Sequence, residues 1–477
     1  SLRPARGASH SRLMRAPLLE TVMLVLIFRL PYSYAAMATS REAGSAMRRR
    51  DVLKGATAAA ALAQQPSAAL ARVPASAGPT NEVVGAIDGI RQKRLGGSGI
   101  IVSEIGLGTQ RWGSTDFNAP DMAACHALMD RAILESGVNL VDTAEQYPIP
   151  SDDLTGRFEG YTEQIIGRWL AKDKARRQKV VLASKITGGD NVNRKSILAD
   201  CDGSLTRLGT DYLDVYMLHW PARYTPQSNW GQSLEFNPTV QELLGPQASF
   251  AEVAEAMGSL IKAGKIRGWG MCNDNAYGLA ASVYASRALG VPAPCVLQND
   301  YSLLNRRIEE NGVSEASSPA MENIGFMAYN VLAGGVLTGK YLKEAAAIDS
   351  FQAGKKELAL RRFREPRGRM DTNDWGQTLY RYRSGPAEEA TRAYAQLAKQ
   401  SGMTLTELSL RWARQRAAVT TSLVGTSSLA QLEEDLKSFQ EPEPLPRELM
   451  WEIDRVHMRN RLPIFASTKV PKDANEG

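Results

Sequence analysis

From about residue 94 onwards, the apolar residues of the chain follow two alternating patterns. Short, nearly continuous apolar runs are each followed by a longer segment whose apolar positions recur with helical spacing. A continuous apolar strand followed by a helix is typical of a parallel sheet that is buried on both faces. We predict strands at 105–109, 138–144, 180–186, 212–220, 266–273, 296–302, 325–330 and 421–427. We predict helices at 121–136, 161–172, 194–208, 249–263, 275–289, from about 306, and at 428–439.

Eight such units predict an α/β fold, a closed (β/α)8 TIM barrel, which we place at residues 91–460. Two apolar runs around the glycines of Arg94–Val102 predict a β-hairpin in front of it. The alternative is an open doubly wound sheet, which would carry a G-x-G-x-x-G turn after its first strand. The turn here, Gly106-Leu-Gly108-Thr, lacks the third glycine, and this favours the barrel.

Two large insertions interrupt the alternation, at 221–248 and 341–386, and a tail follows at 461–477. Both insertions come after strand ends, so we expect them above the mouth of the barrel. They are interpreted as lids over a substrate or cofactor; the alternative is tolerated surface insertion.

The basic charge of the chain is confined to its first part. The formal net charge is +6, but residues 1–80 hold eleven of the 57 Lys and Arg and three of the 51 acidic residues, which leaves 46 basic and 48 acidic residues. A nearly neutral body argues against nucleic-acid binding. The four cysteines form no C-x-x-C pair, and adjacent Cys125 and His126 would diverge on a helix, so no metal site is predicted.

Residues 1–90 are interpreted as a mostly disordered targeting leader, rich in Ala, Arg, Ser and Pro. The apolar run at 18–30 fits a signal-peptide core better than a membrane span, so no stable span is expected in the mature protein. A twin-arginine-like signal follows at 48–77, with Arg49 and Arg50 before Val-Leu-Lys. The combination favours a plastid and its thylakoid lumen; the alternatives are an untranslated stretch and a cytoplasmic protein.

Four reactive side chains lie at the ends of three consecutive predicted strands. Asp142 and Tyr147 follow the second strand, Lys185 ends the third and His219 ends the fourth. Reactive groups of such barrels lie at the carboxyl ends of the strands, so the four should converge on one rim.

These four groups fit the chemistry of carbonyl reduction. A Tyr hydroxyl titrates near 10, and a nearby Lys185 ammonium would lower the pKa of Tyr147 and make it a better acid. Asp142 would pair with Lys185 and hold it charged. His219 could hydrogen-bond a carbonyl oxygen and orient it, so the site could polarise C=O and donate a proton.

This set resembles the Asp, Tyr, Lys and His tetrad of the aldo-keto reductase family, with the family's Asp-x4-Tyr spacing. The resemblance covers about residues 91–460 and is closest to the Tas-like branch of NADP(H)-dependent oxidoreductases, through the segments AEQYPIP, LHWP, QNDYSLLNR and VLTGKY. It implies reduction of a small-molecule aldehyde or ketone to an alcohol by hydride transfer from NADPH, with Tyr147 as the general acid.

The same resemblance implies which residues bind NADP(H). The carboxamide would meet Cys272, Asn273 and Gln298, and Tyr329 would stack on the nicotinamide ring. A loop from Asn330 to Lys340 would cover the pyrophosphate. The remaining positions that it implies are Gly108, Thr109, Leu332, Gly334, Leu337, Gly339, Gly425, Thr426, Ser427, Gln431, Glu434 and Asp435.

Two positions depart from the family pattern. Cys272 stands where Ser is usual, and a thiol is a weaker hydrogen-bond partner. Asp435 stands where Asn is usual, which is expected to weaken the adenine contact. No Arg or Lys lies within 425–431 to bind a 2′-phosphate, so NADP over NAD rests on the resemblance.

Two other functions are compatible with a barrel of this kind. Channel β-subunits share the fold and sense cofactor occupancy with little turnover, although the intact tetrad argues against this. A barrel isomerase or aldolase would use Lys185 in a Schiff base. The sequence leaves the physiological substrate and the oligomeric state open.

Overall fold

The computed structural model describes a closed parallel barrel and a small antiparallel sheet. The described residues are 77–150, 159–225, 236, 238–243, 247–342, 368–371, 382, 384–441 and 443–464. The predicted leader up to residue 76, most of both insertions and the tail from residue 465 lie outside them.

Eight parallel strands form the barrel, in the order β10-β11-β4-β5-β6-β7-β8-β9. The last strand along the chain therefore pairs with the first barrel strand and closes the ring. The fold class predicted from the sequence is confirmed. The barrel strands are β4 (Ile105–Gly108), β5 (Leu140–Asp142), β6 (Val181–Ile186), β7 (Leu213–Leu218), β8 (Ile266–Cys272), β9 (Val296–Asp300), β10 (Gly325–Tyr329) and β11 (Thr421–Val424).

A three-stranded antiparallel sheet precedes the barrel, formed by β1 (Val83–Ile87), β2 (Ile90–Leu95) and β3 (Ile100–Ser103). The predicted hairpin corresponds to β2 and β3. The sequence analysis did not find β1, because the strand lies inside the range predicted for the leader; its sequence, VVGAI, is apolar although all five residues are exposed.

The hairpin packs against the inside of the barrel. Leu95, Ile100 and Val102 are buried in one cluster with Val215 and Met327 of the barrel strands. Apolar side chains from β2 and β3 thus fill the end of the barrel opposite the carboxyl ends of the strands, which leaves those carboxyl ends free to form a cavity.

Helices surround the barrel, and several have ends that their sequence explains. The helix α3 begins with a capping box between Asn193 and Ser196 and ends at Gly209, which adopts a left-handed conformation. The helices are α1 (Met122–Met129), α2 (Tyr161–Leu170), α3 (Arg194–Leu208), α4 (Pro238–Leu243), α5 (Phe250–Lys262), α6 (Ala276–Leu289), α7 (Arg307–Glu310), α8 (Val313–Ser317), α9 (Gly385–Gln400), α10 (Leu405–Gln415), α11 (Leu429–Gln440) and α12 (Arg447–Arg459).

The structure differs from the predicted elements in three ways. A π-helical turn at Asp130–Leu134 continues α1, and short 3-10 turns occur at Lys174–Lys179, Gly189–Asn191, Ala333–Thr338 and Arg369–Asp371. The helix predicted from about residue 306 is two short helices, α7 and α8, because Gly312 between them has a positive φ of 80°. The sequence analysis did not identify α9, α10 and α12, all of which are amphipathic.

The described part of the chain contains no helix long and apolar enough to cross a membrane. Within the same residues, no cluster of three or more His, Cys, Asp or Glu side chains is arranged to hold a metal ion. All four cysteines are buried and unpaired with one another.

Candidate active site

A cavity of about 480 Å³ opens at the carboxyl ends of the barrel strands. Ligand pockets in proteins commonly have volumes of about 300–1,000 Å³. One end of the cavity is bounded by Asp142, Tyr147 and His219, which we call the reaction end. The other is bounded by the segment 425–435, which we call the adenosine end.

A hydrogen-bonded chain of buried side chains lies beneath the reaction end. Lys185 Nζ donates to Asp142 Oδ2 at 2.7 Å and to the Thr143 carbonyl at 2.8 Å. Gln298 Nε2 donates to Asp142 Oδ1, also at 2.7 Å. The predicted pair of Asp142 and Lys185 is therefore present. Both carboxylate oxygens have a donor, which offsets the cost of burying the charge.

The polar atoms of Tyr147 and His219 lie close together at the reaction end. The Tyr147 hydroxyl lies 3.5 Å from His219 Nε2, and Lys185 Nζ lies 5.1 Å from the centre of the Tyr147 ring. The His219 ring stacks on Trp220, at 5.8 Å between centroids. Among the described residues, His219 Nδ1 has no hydrogen-bond partner.

The electrostatics of the site follow from burial and from Lys185. Burial raises the pKa of Tyr147 above its ordinary value, and the Lys185 ammonium opposes this rise. The predicted lowering by Lys185 is present but is smaller than the effect of burial, which corrects the expectation of a net decrease. Burial and Lys185 hold the pKa of His219 well below its ordinary value. Tyr147 is thus protonated and His219 neutral at neutral pH.

Lys185 stays charged although it is completely buried. Burial alone would lower the pKa of Lys185, but Asp142 and Tyr147 raise it, and the net change is upward. An ammonium that keeps its charge beside the phenol can stabilise the phenolate that forms when Tyr147 gives up its proton.

The nicotinamide positions implied by the resemblance lie beside this chain of hydrogen bonds. Asn273 has a positive φ of 61°, donates to the His219 carbonyl at 2.9 Å and accepts from the Tyr329 hydroxyl at 2.6 Å. Cys272 Sγ lies 3.6 Å from Gln298 Oε1. Gln298, which was predicted for the carboxamide, thus has Asp142 as an additional partner.

A glycine-rich loop follows β10 along the same cavity. Asn330, Ala333, Gly334, Gly335 and Gly339 all have a positive φ, and turns of this kind can group backbone N–H donors around an anion. Asn330, Leu332, Gly334 and Lys340 line the cavity.

The adenosine end is formed by the segment that leads from β11 into α11. Gly425, Thr426, Ser427, Gln431, Glu434 and Asp435 line the cavity there. Burial and the neighbouring Glu434 raise the pKa of Asp435 well above its ordinary value. This shift favours the neutral carboxyl, in a position where the resemblance expects the neutral amide of Asn.

The structure brings nearly all of the predicted site residues to one cavity. Gly108 and Thr109 also line it, whereas Lys185, Leu337 and Gly339 lie behind its wall. The sequence analysis missed further lining residues, since no local motif marks them. They include Gln110, Arg111, Trp112, Phe117, Asn118, Gln146, Ile149, Trp220, Thr338, Gly368, Arg369 and Thr406.

Three basic side chains line the cavity: Arg111, Lys340 and Arg369. Burial and Arg111 lower the pKa of Arg369 to about 9. Burial, Arg111 and Arg369 lower the pKa of Lys340. Like charges that depress one another's pKa at a cavity wall favour an anion between them.

These features fit a phosphorylated dinucleotide. The cavity has a basic wall for phosphates, and the buried hydroxyl of Thr426 lines it without a hydrogen-bond partner in the described part of the chain. A reaction end with a proton donor lies opposite. The residues present therefore match both the charge and the polarity of such a cofactor.

Comparison with known proteins gives concordant results. The sequence profile of the Aldo/keto reductase family matches residues 104–457. Protein tas from Escherichia coli (strain K12) is 32% identical over 375 residues, which cover 76% of this chain and 96% of that protein. An aldo-keto reductase from Babesia bovis is 31% identical, covering 60% of this chain and 98% of its own length. Aldo-keto reductase YhdN from Bacillus subtilis (strain 168) is 31% identical over 256 residues, which cover 52% of this chain and 63% of that protein.

Proposed function

The chain belongs to the aldo/keto reductase family and is an oxidoreductase, and we propose that it reduces an aldehyde or a ketone to an alcohol with NADPH. Tyr147 is the proposed general acid. The observation that carries the proposal is the buried chain from Gln298 through Asp142 to Lys185, which ends beneath a tyrosine that lines the cavity.

Each side chain has one task in the proposed reaction. Tyr147 holds a proton at neutral pH because burial raises its pKa. It gives this proton to the carbonyl oxygen, and Lys185 stabilises the phenolate that results. His219 is neutral and can donate one hydrogen bond from Nε2, which orients the same oxygen.

NADP(H) supplies the hydride when it is bound. Tyr329, Asn273 and Cys272 would hold its nicotinamide, Lys340 and the glycine-rich loop its pyrophosphate, and the segment 425–435 its adenosine. Arg111, Lys340 and Arg369, which line the cavity, would supply positive charge for its phosphates.

The test is the reaction of the full chain with NADPH and a panel of aldehydes and quinones, followed by NADPH absorbance. In Tyr147→Phe we expect kcat to fall by about 10²- to 10⁴-fold, since the proton donor is lost. Removal of one hydroxyl from the reaction end should leave the Kd of NADPH within about threefold.

The matched control is Tyr216→Phe. Tyr216 lies on β7, is completely buried, and within the described residues its hydroxyl has no hydrogen-bond partner. This variant should keep full activity. Unchanged turnover in Tyr147→Phe would refute the assigned role, and tight NADPH binding without turnover on any carbonyl would favour the cofactor-sensing module instead.

The compartment is proposed from the first 76 residues of the leader, which lie outside the described residues. We propose export to a plastid, ending in the thylakoid lumen. The full chain with a fluorescent protein at its carboxyl end should give a plastid signal in an algal cell. Replacing Arg49 and Arg50 by Lys should abolish arrival in the lumen, whereas a diffuse cytosolic signal from the unaltered chain would contradict the proposal.

A further inference from the structure

Arg111 reaches from the loop after the first barrel strand to the loop after the last one. Its Nη1 donates to Ser427 Oγ at 3.0 Å, across 316 positions of the chain. Its Nε pairs with Asp116 Oδ2 at 2.9 Å, and its Nη2 donates to the Phe117 carbonyl. The side chain is only 12% exposed. The guanidinium is thus held in one orientation at the wall of the cavity.

The segment next to Ser427 has the features of an anion site. It leads into the amino terminus of α11, where backbone N–H groups and the helix dipole favour negative charge. The hydroxyl of Thr426, whose side chain is 4% exposed, lines the cavity and has no hydrogen-bond partner among the described residues. A buried donor without a partner costs free energy, and a ligand that accepts its hydrogen bond would remove that cost.

We propose that Arg111, with the hydroxyls of Thr426 and Ser427, binds the 2′-phosphate of NADP(H), and that Arg111 is the residue that makes this chain prefer NADP(H) to NAD(H). The inference rests on the proposed function, because it assumes that the dinucleotide lies in this cavity. Arg111 would supply the cation that the segment 425–431 lacks.

Arg111 differs from Lys340 and Arg369 in its hydrogen bonds, although it lies close enough to both to lower their pKa. Lys340 belongs to the end of the glycine-rich loop, and Arg369 donates to Gln110 Oε1 at 3.3 Å. Of Arg111, Lys340 and Arg369, Arg111 alone has a hydrogen bond to segment 425–428 within the described part of the chain. Arg–phosphate hydrogen bonds are charge-assisted and strong, and NAD(H) offers only a 2′-hydroxyl at that position.

The experiment measures the Kd of four ligands for the full chain by fluorescence titration: NADPH, NADH, adenosine 2′,5′-bisphosphate and adenosine 5′-monophosphate. In Arg111→Met, the Kd of the two ligands with a 2′-phosphate should rise by about 10- to 100-fold. The Kd of the two without it should change by less than about threefold.

Arg131→Met is the matched control. Arg131 forms an ion pair at 2.5 Å with Glu433, which lies on α11, the helix that follows the proposed site. Arg131 itself does not line the cavity. It should leave all four constants unchanged. A second variant, Thr426→Val, breaks no hydrogen bond seen in the described residues, so it should fold normally. It should weaken only the 2′-phosphorylated ligands, by about 3- to 10-fold.

Equal weakening of NADPH and NADH in Arg111→Met would overturn the proposal, because it would assign Arg111 to the pyrophosphate. Unchanged cofactor constants with a raised KM for anionic carbonyl substrates would also overturn it and assign Arg111 to the substrate. If the unaltered chain discriminates between the ligands as expected but reduces no carbonyl, the proposed function fails and the assignment of Arg111 stands.

Discussion

The two ends of the cavity are built in different ways. At the reaction end, Asp142 and Lys185 lie on neighbouring strands, are buried, and share one chain of hydrogen bonds with Gln298. At the adenosine end, Arg111 and Ser427 lie on loops, and each also has a partner outside their shared hydrogen bond, Asp116 and Gln431 respectively.

This difference predicts different responses to mutation. Groups joined in one buried network lose their function together, so single changes are costly and their effects are not additive. Arg111 and Ser427 share only one hydrogen bond and each has another partner, so single changes there should cost less. Changes at the reaction end should therefore alter kcat, and changes at the adenosine end should alter the Kd of the cofactor.

Lys185→Met should have the largest effect. It removes the only cation hydrogen-bonded to Asp142 in the described residues and leaves that buried carboxylate with Gln298 alone. We expect kcat to fall by about 10²- to 10⁴-fold and stability to fall by about 3–5 kcal/mol. Steady-state kinetics and thermal unfolding measure the two losses.

The control is Lys93→Met at the opposite end of the barrel. Lys93 is also buried, its Nζ donates to the Val419 carbonyl at 3.1 Å, and burial lowers its pKa to about 8. It should change stability but not kcat. Full activity of Lys185→Met would contradict the difference proposed between the two ends, since the buried network would then have no catalytic role.

The second-largest expected effect is a loss of stability at acidic pH. It involves one histidine at the reaction end and two elsewhere in the fold. Burial lowers the pKa of His219, and also of His126 and His457. The unfolded chain binds protons at these histidines at a higher pH than the folded one does. Stability is therefore complete above pH ~6.5 and falls as the pH decreases below it.

Calorimetry at pH 7 and pH 5 should show a lower Tm at pH 5. His219→Gln should reduce this difference because it removes one of the contributing groups, and His126→Gln, outside the cavity, should do the same while retaining activity. A pH difference in Tm that neither variant reduces would contradict the assignment.

Asp435→Asn should have a smaller effect, confined to the adenosine end. Because burial raises the pKa of Asp435, the folded chain holds its proton to a higher pH than the unfolded chain does, and the carboxyl costs stability as the pH rises above ~3.8. The variant should raise Tm by about 2–4 °C at neutral pH and less at pH 4.

The same variant should tighten NADPH binding without changing kcat. Glu433→Gln is its control, since Glu433 lies on the same helix, is exposed, and is paired with Arg131 outside the cavity. A loss of kcat in Asp435→Asn beyond about threefold would show that the two ends are not independent.

Cys272→Ser should have the smallest effect. The Cys272 thiol is buried with a raised pKa, and it contacts Asn273 Nδ2 at 3.2 Å and Gln298 Oε1 at 3.6 Å. A hydroxyl is a stronger hydrogen-bond donor and acceptor than a thiol and can serve the same two partners, so kcat and the Kd of NADPH should each stay within about threefold. A tenfold change in either, measured by kinetics and titration, would mean that the thiol has a specific function.

The sequence was sufficient to predict the barrel and the reaction end. The barrel strands are short, mostly apolar runs, and the residues that end β5, β6 and β7 meet on one rim because parallel strands align their carboxyl ends. The predicted pair of Asp142 and Lys185 follows directly from this alignment.

The sequence could not predict features that depend on distance in space. Arg111 meets Ser427 only because the first and last barrel strands are neighbours, and no local pattern records that contact. The net rise in the pKa of Tyr147 depends on how deeply the phenol is buried. The strand β1 is an exposed apolar run that lies within the range assigned to the leader, and its pairing with β2 cannot be recognised from the run alone.

The pairing of β4 with β11 has a consequence for how the protein is made. A nascent chain that has not yet reached Thr421 contains seven of the eight barrel strands but leaves β4 and β10 each with one open edge. The ring can close only after Thr421–Val424 have been synthesised, and until then the two open edges can pair with other chains. A dinucleotide that touches both Arg111 and Ser427 would then stabilise the pairing of β4 with β11, the last pair of strands to form.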